Sequence, residues 1–187
     1  MFIQTETTPN PHSLKFIPGI TVLEGAPIHF ASVREAANSP LAQALFTIPE
    51  VSSVFLGSDF ITISKDPASE WHIIKPDILS VIMEHFVAKR PVLLNKAAEK
   101  TDSSEDSEIV QQIKELLDTH IRPAVAQDGG DIVYRGFEDG IVKLALRGSC
   151  SGCPSSSMTL KNGIENMLKH YVPEVIGVEA VPHEEEA

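Results

Sequence analysis

Hydrophobic and polar positions change their period several times along this chain, and each change marks an element. Near the start, Ile3 to Glu6 and Leu14 to Ile17 flank Thr-Pro-Asn-Pro-His. The prolines and Asn10 favour a turn there, so the segment predicts a β-hairpin. Val51 to Leu56 and Phe60 to Ser64 are rich in β-branched and aromatic residues and are parted by Gly57-Ser58-Asp59, which predicts a second hairpin. Between the two, Ser39-Pro40-Leu41 reads as the start of a short helix. Trp71, Ile74, Ile78, Ile82 and Phe86 then recur at three- and four-residue intervals. That spacing predicts an amphipathic helix, kinked or begun at Lys75-Pro76-Asp77, with Trp71 in the core.

From Asn95 to Ser107 the pattern stops: NKAAEKTDSSEDS holds no large apolar residue and cannot contribute to a core. It predicts a flexible linker (95–107) between a first domain (1–94) and a second (108–187). In the second, Ile109, Ile113, Leu116, Leu117 and Ile121 form a helical stripe. Pro123 and Gln127-Asp128-Gly129-Gly130 are expected to end it and turn the chain, with Asp128 to Asp131 serving as cap and turn. Ile132 to Phe137 and Ile141 to Arg147 predict a hairpin joined at Glu138-Asp139-Gly140, with Val142, Leu144 and Leu146 on one face. After Gly148 to Cys153, Pro154 opens a second helix marked by Leu160, Ile164, Met167, Leu168 and Tyr171, and Val175 to Val181 reads as a last strand. The expected class is α+β: two small mixed domains, each with a hairpin or short sheet packed against helices.

Charge narrows the partners. The chain has 26 acidic against 15 basic residues, a net charge of −11, and no cluster of Lys and Arg that would neutralise phosphates. Nucleic acid is not the expected partner. Acidity is greater in the second domain, with 13 acidic against seven basic residues over 108–187 and nine against six over 1–94. The tail Glu184-Glu185-Glu186 reads as a solvated end. No apolar run approaches the eighteen or so residues that cross a bilayer, and Met-Phe-Ile-Gln-Thr-Glu lacks the basic and apolar regions of a signal peptide, so a soluble compartment is expected.

Chemistry concentrates in one tetrapeptide, Cys150-Ser151-Gly152-Cys153, which holds both cysteines of the chain. Two cysteines in 187 residues do not make a secreted disulfide scaffold, so a reducing interior is the natural setting. Cys150 falls in a loop and Cys153 at the expected N-cap of the second helix, where backbone N–H groups and the helix dipole favour thiolate. Soft thiolates select zinc, copper(I) or iron–sulfur clusters, and a cluster generally takes four of them. If a cluster is what they hold, two chains must each present one pair, most simply in a homodimer. Gly152 lets the loop curl around a large anion and Gly148 allows close backbone approach. Ser149, Ser151, Ser155 and Ser156 are candidate donors to cluster sulfides.

Other readings of the pair compete. A thioredoxin-like redox pair would open a helix after the first strand of a βαβ unit, commonly with proline inside the motif; here Pro154 follows it and a hairpin precedes it. Mononuclear zinc needs two more ligands, and the nearest downstream histidine, His170, lies at the far end of the helix. His12, His29, His72, His85, His120 and His183 show no metal-ligand pairing, and there is neither a nucleophile–base constellation nor a phosphate-binding glycine motif. Nothing points to an enzyme.

The run from Leu146 through Gly148-Ser149-Cys150-Ser151-Gly152-Cys153-Pro154 to Glu165 closely resembles the C-terminal domain of the NifU/Nfu family. Arg122-Pro123 and Gln127-Asp128-Gly129-Gly130-Asp131 are similar to the same domain, so the likeness spans roughly residues 108–181. Thr8-Pro9-Asn10-Pro11-His12-Ser13-Leu14-Lys15-Phe16 is similar to the opening of the Nfu N-terminal domain. The resemblance implies a scaffold or carrier that holds a 4Fe-4S cluster, or a 2Fe-2S one, on Cys150 and Cys153 of two chains. It further implies upstream cluster donors, apo iron–sulfur proteins as clients, and a bacterial cytoplasm or, for a processed chain, a mitochondrial matrix. The second function class is a dithiol–disulfide or persulfide-handling module using the same cysteines.

Overall fold

The computed structural model describes residues 1–94, 107–151 and 154–181, with the side chains of 154–157 excepted. The chain divides into two units, Met1–Glu99 and Lys100–Ala187. The expected linker lies outside the described residues except for Ser107, as does the acidic tail.

The first unit is built on a five-stranded antiparallel sheet. Its strands are β1 (Gln4–Thr7), β2 (Ser13–Ile17), β3 (Ile28–Phe30), β4 (Val51–Leu56) and β5 (Ile61–Lys65), in the order β1-β2-β5-β4-β3. The first hairpin runs from Gln4 opposite Ile17 to Thr7 opposite Leu14. Its turn is held by Asn10, whose side chain accepts from the His12 N–H at 3.0 Å while its carbonyl accepts from Ser13. The second hairpin sets Val54 opposite Ile63 and Leu56 opposite Ile61. The short strand β3 was not marked in the sequence; three residues are too few to show an alternation.

Two α-helices and a short 3-10 helix (Glu35–Asn38) complete this unit. Ser39 caps α1 (Pro40–Leu45), accepting from the Ala42 N–H at 3.2 Å, and Pro40 occupies the first turn, where its missing N–H costs nothing. Helix α2 (Trp71–Val87) does not begin at Pro76 but runs through it. Leu41, Leu45, Val54, Leu56, Ile61, Ile63, Ile74, Ile78 and Ile82 make one core. Trp71 is not fully inside: it packs half-buried at the core's edge and its Nε1–H donates to the Pro11 carbonyl at 3.1 Å.

The second unit opens with α3 (Glu108–Leu116), capped by Ser107. A π-helical turn (Leu117–Ile121) and α4 (Arg122–Gln127) continue it, so Pro123 does not end the helical run. The Arg122 N–H reaches back five residues to the Leu117 carbonyl, a widened step immediately before the residue that has no donor. Strands β6 (Gly130–Glu138) and β7 (Ile141–Gly148) form the expected hairpin around Asp139 and Gly140. Both turn residues have positive φ, 51° and 78°, the conformation that Asp-Gly favours. Helix α5 (Pro154–Tyr171) then crosses back so that β8 (Gly177–Val181) pairs parallel to β7, giving the order β6-β7-β8.

Ile113, Leu117, Ile132, Val142, Leu144, Ile164 and Leu168 form this unit's core, with Leu146, Leu160 and Met167 packed half-buried against it. Tyr171 faces outward instead. The α+β class holds in both units. No helix of the described residues is long and apolar enough to cross a membrane.

Candidate metal centre

The turn that leaves β7 carries the first cysteine. Gly148 has φ of 64°, which directs the chain away from the strand at little cost. Ser149, fully buried, then fastens the turn to the segment between α4 and β6. Its N–H donates to the Gly129 carbonyl at 3.2 Å and its hydroxyl to the Asp128 carbonyl. Ser151 closes the turn on itself, donating from N–H and hydroxyl to the Gly148 carbonyl at 3.1 and 2.9 Å. The hydroxyls of Ser149 and Ser151, expected as donors to cluster sulfides, are therefore engaged with backbone carbonyls. Ser155 and Ser156 lie outside the described side chains, and Gly152 and Cys153 outside the described residues.

Cys150 is not on an exposed loop. It is 7% exposed and belongs to the hydrophobic core of its unit. Its sulfur lies over the backbone of Gly130: a Cβ added there would stand 2.3 Å from Sγ and 3.1 Å from the Arg147 carbonyl. Gly130 is thus the floor of the thiol's seat, a role beyond the turn-forming one read from the sequence. The signal was the paired Gly129-Gly130, where Gly129, with φ of 77°, makes the turn and Gly130 makes room.

Electrostatics at this seat favour the thiol. Burial pushes the Cys150 pKa up to about 11, and the carboxylates of Asp128 and Asp131 add to the rise. The thiolate preference expected from the helix dipole is reversed at this cysteine, because the loss of water outweighs it.

The ground beneath the seat is braced by an ion pair. Arg122 donates from Nε and Nη2 to both carboxylate oxygens of Asp131, at 2.9 and 3.1 Å, and from Nη1 to Asp118 at 3.1 Å. Asp131 is buried, so this two-pronged geometry compensates for its lost hydration. Hydrogen bonding to Asp131 raises the Arg122 pKa further, so the guanidinium stays charged. Asp131 faces Arg147 across the β6–β7 ladder, three residues before the cysteine. Helix α4, the start of β6 and the end of β7 thereby converge on one turn.

Among the described residues no histidine takes part in it. His170 sits near the end of α5, about 24 Å along the helix from Pro154 at 1.5 Å per residue, and rests edge-on against Tyr171. Among the described residues no group of three or more His, Cys, Asp or Glu side chains is arranged to hold a metal ion. Among the described residues Cys150 is the soft donor of this turn, and its sulfur lies buried over Gly130.

Comparison with known proteins covers both units. Residues 3–89 match the family model described as "Scaffold protein Nfu/NifU N terminal", and residues 113–179 match "NifU-like domain". A human protein named "NFU1 iron-sulfur cluster scaffold homolog, mitochondrial" is 54% identical over 187 residues, covering 99% of this chain and 74% of its own length. A relative of the same name from Drosophila willistoni is 55% identical over 185 residues, and the chain spans 64% of it. The solution structure of a NifU-like protein from Saccharomyces cerevisiae shares 32% identity, covering 50% of this chain and 84% of that one, with a TM-score of 0.46.

Proposed function

This chain belongs to the Nfu/NifU family of iron–sulfur cluster scaffold proteins, and from that premise we propose that it takes up a cluster on Cys150 and Cys153 and passes it to apo-proteins. The cluster is cargo, of the 4Fe-4S or the 2Fe-2S type. Each chain offers two thiols and a cluster takes four, so two copies share it. The protein is a carrier and not an enzyme. Its partners are an upstream cluster donor and client apo-proteins, and the names of the relatives favour a mitochondrial matrix over a bacterial cytoplasm.

The observation that carries the reading is that the Cys-Ser-Gly-Cys motif stands, in sequence, between the end of β7 at Gly148 and the start of α5 at Pro154, inside the segment matched by the NifU-like family model. Loading requires the Gly148–Ser151 turn to release Cys150 from Gly130 and the thiol to give up its proton, since the thiolate is the ligand. The dithiol–disulfide alternative fits less well. It needs the same release of the buried Cys150, and the family match to cluster scaffolds lends it no support.

Anaerobic reconstitution with iron and sulfide tests the proposal, read by absorption, Mössbauer spectroscopy and mass. One cluster per two chains is the expected result; no uptake, or a cluster on a monomer, overturns it. The proposed division predicts that a fragment of residues 108–187 folds alone and takes up the cluster, while a fragment of residues 1–94 folds and takes up none. Holo-protein mixed with an apo 4Fe-4S enzyme then tests transfer. Client activity should rise as the carrier falls from dimer to monomer mass, and a cluster that only cycles between oxidation states on an intact dimer would point to electron transfer instead.

A further inference from the structure

Helix α2 has a second apolar face that its own unit does not use. Ile74, Ile78 and Ile82 point into the core, yet Ile73, Met83 and Val87 on the opposite side are 61%, 41% and 69% exposed. With exposed Pro76 and Ser80 they fall at 73, 76, 80, 83 and 87, the alternating three-four spacing of a coiled-coil seam. Single exposed apolar residues are ordinary on a protein surface, but here three share one line over four turns with only Pro76 and Ser80 between them, so the line carries no charged side chain. Ser80 at its centre leaves room for another helix to approach closely. Along one flank Glu70, Asp77 and Glu84 repeat every seven residues, all exposed. Of these, Glu84 makes a long 3.5 Å pair with exposed Arg90, which solvent screens.

The geometry points to this face as a docking surface for a basic amphipathic helix of a partner protein. The charges select that occupant. Pairing with a second copy sets the acidic flank against itself when the helices run antiparallel, and against His72, Leu79 and Phe86, with no Lys or Arg, when they run parallel. An anionic membrane surface meets the same three carboxylates. A helix with apolar residues at the seam and Lys or Arg beside it satisfies both features.

The test uses the full-length chain, isotope-labelled for NMR, and two synthetic three-heptad peptides with Leu along the seam, one with Lys and one with Glu at the flanking positions. The Lys peptide is expected to shift the α2 amides and to bind more weakly as salt rises. The Ile73→Glu/Val87→Glu double variant should weaken it roughly thirtyfold with the melting curve unchanged, since both side chains point outward. Changing Glu70, Asp77 and Glu84 to Lys should transfer the preference to the Glu peptide. The proposal fails if neither peptide binds, if both bind alike, or if the chain alone forms a dimer that Val87→Glu dissolves, which would make a second copy the occupant.

Discussion

The two units bury polar groups in opposite ways. In the first they are spread over several elements: Asn10 and Ser13 share a turn, with Ser13 also bonding Ser64 across two strands at 2.9 Å, Thr62 and Lys65 lie on β5, Ser39 caps α1, and His85 lies on α2. In the second, the buried Asp131, Ser149 and Cys150 crowd around the single turn that leaves β7. Buried polar side chains cost free energy unless paired, and their concentration there marks where this unit departs from a purely structural optimum. Among the described residues, the second unit gathers its buried polar groups around one thiol in a fitted seat, and the first does not gather them.

The sharpest break of that contrast is removal of the reactive group. Cys150→Ser and Cys153→Ser should each abolish stable cluster uptake while leaving the apo-fold in place, because a dimer of either variant retains two thiolates. Iron and sulfide content after anaerobic reconstitution reads the outcome. A full-intensity cluster in either variant would remove that cysteine from the ligand set.

Next in size is the brace beneath the seat. Asp131→Ala leaves Arg122 without its main partner in a half-buried site and should cost the second unit about 2–3 kcal/mol, near the lower end for breaking a buried pair because Arg122 retains some solvent and Asp118. Urea titration followed by amide signals from each unit is the measurement. The first unit should unfold at its usual midpoint, and an equal loss in both would contradict their independence.

How much of this was legible in the sequence follows the same division. Hairpins, the Ser39 cap, the Asp-Gly turn and the Pro154 helix start were readable because each rests on contacts within a few residues. For α2 the sequence left two outcomes open at Pro76, a kink or a start, and the helix runs through it; the run of the second unit's first helix through Pro123 was not legible, since packing of Val125 overrides a local penalty. The seat of Cys150 was hidden for a related reason. The motif 150–153 names the candidate ligands, but burial of the Cys150 sulfur depends on Gly130, twenty residues away and brought beneath it by the β6–β7 pairing.

Gly130→Ala tests that seat directly. With Cβ at 2.3 Å from Sγ, either the sulfur or the strand must move, and overpacking of this kind should cost about 1–3 kcal/mol. Movement of the sulfur would also expose it, so alkylation of Cys150 at neutral pH should be faster than in the parent chain. A stability loss with unchanged alkylation would mean that the strand gives way and the thiol stays home.

Gly163 is the opposite case within the same unit, and its expected effect is the smallest and of reversed sign. It lies in the interior of α5 on the exposed side, and a Cβ there would meet nothing within 4 Å among the described residues beyond its chain neighbours and the adjoining backbone of its own helix. A mid-helix glycine gives up roughly 0.5–1 kcal/mol relative to alanine through backbone entropy, and no close contact offsets that loss as it does at Gly130. Gly163→Ala should therefore stabilise the apo-form by up to about 1 kcal/mol, raising the melting temperature of an 80-residue unit by roughly 4–8 °C. Calorimetry of the apo chain, with the two units assigned by their amide signals, reads the shift. A fall in melting temperature would show that the alanine methyl meets something on this face of α5, and the contrast between a glycine fitted around a thiol and a glycine facing open space would be lost.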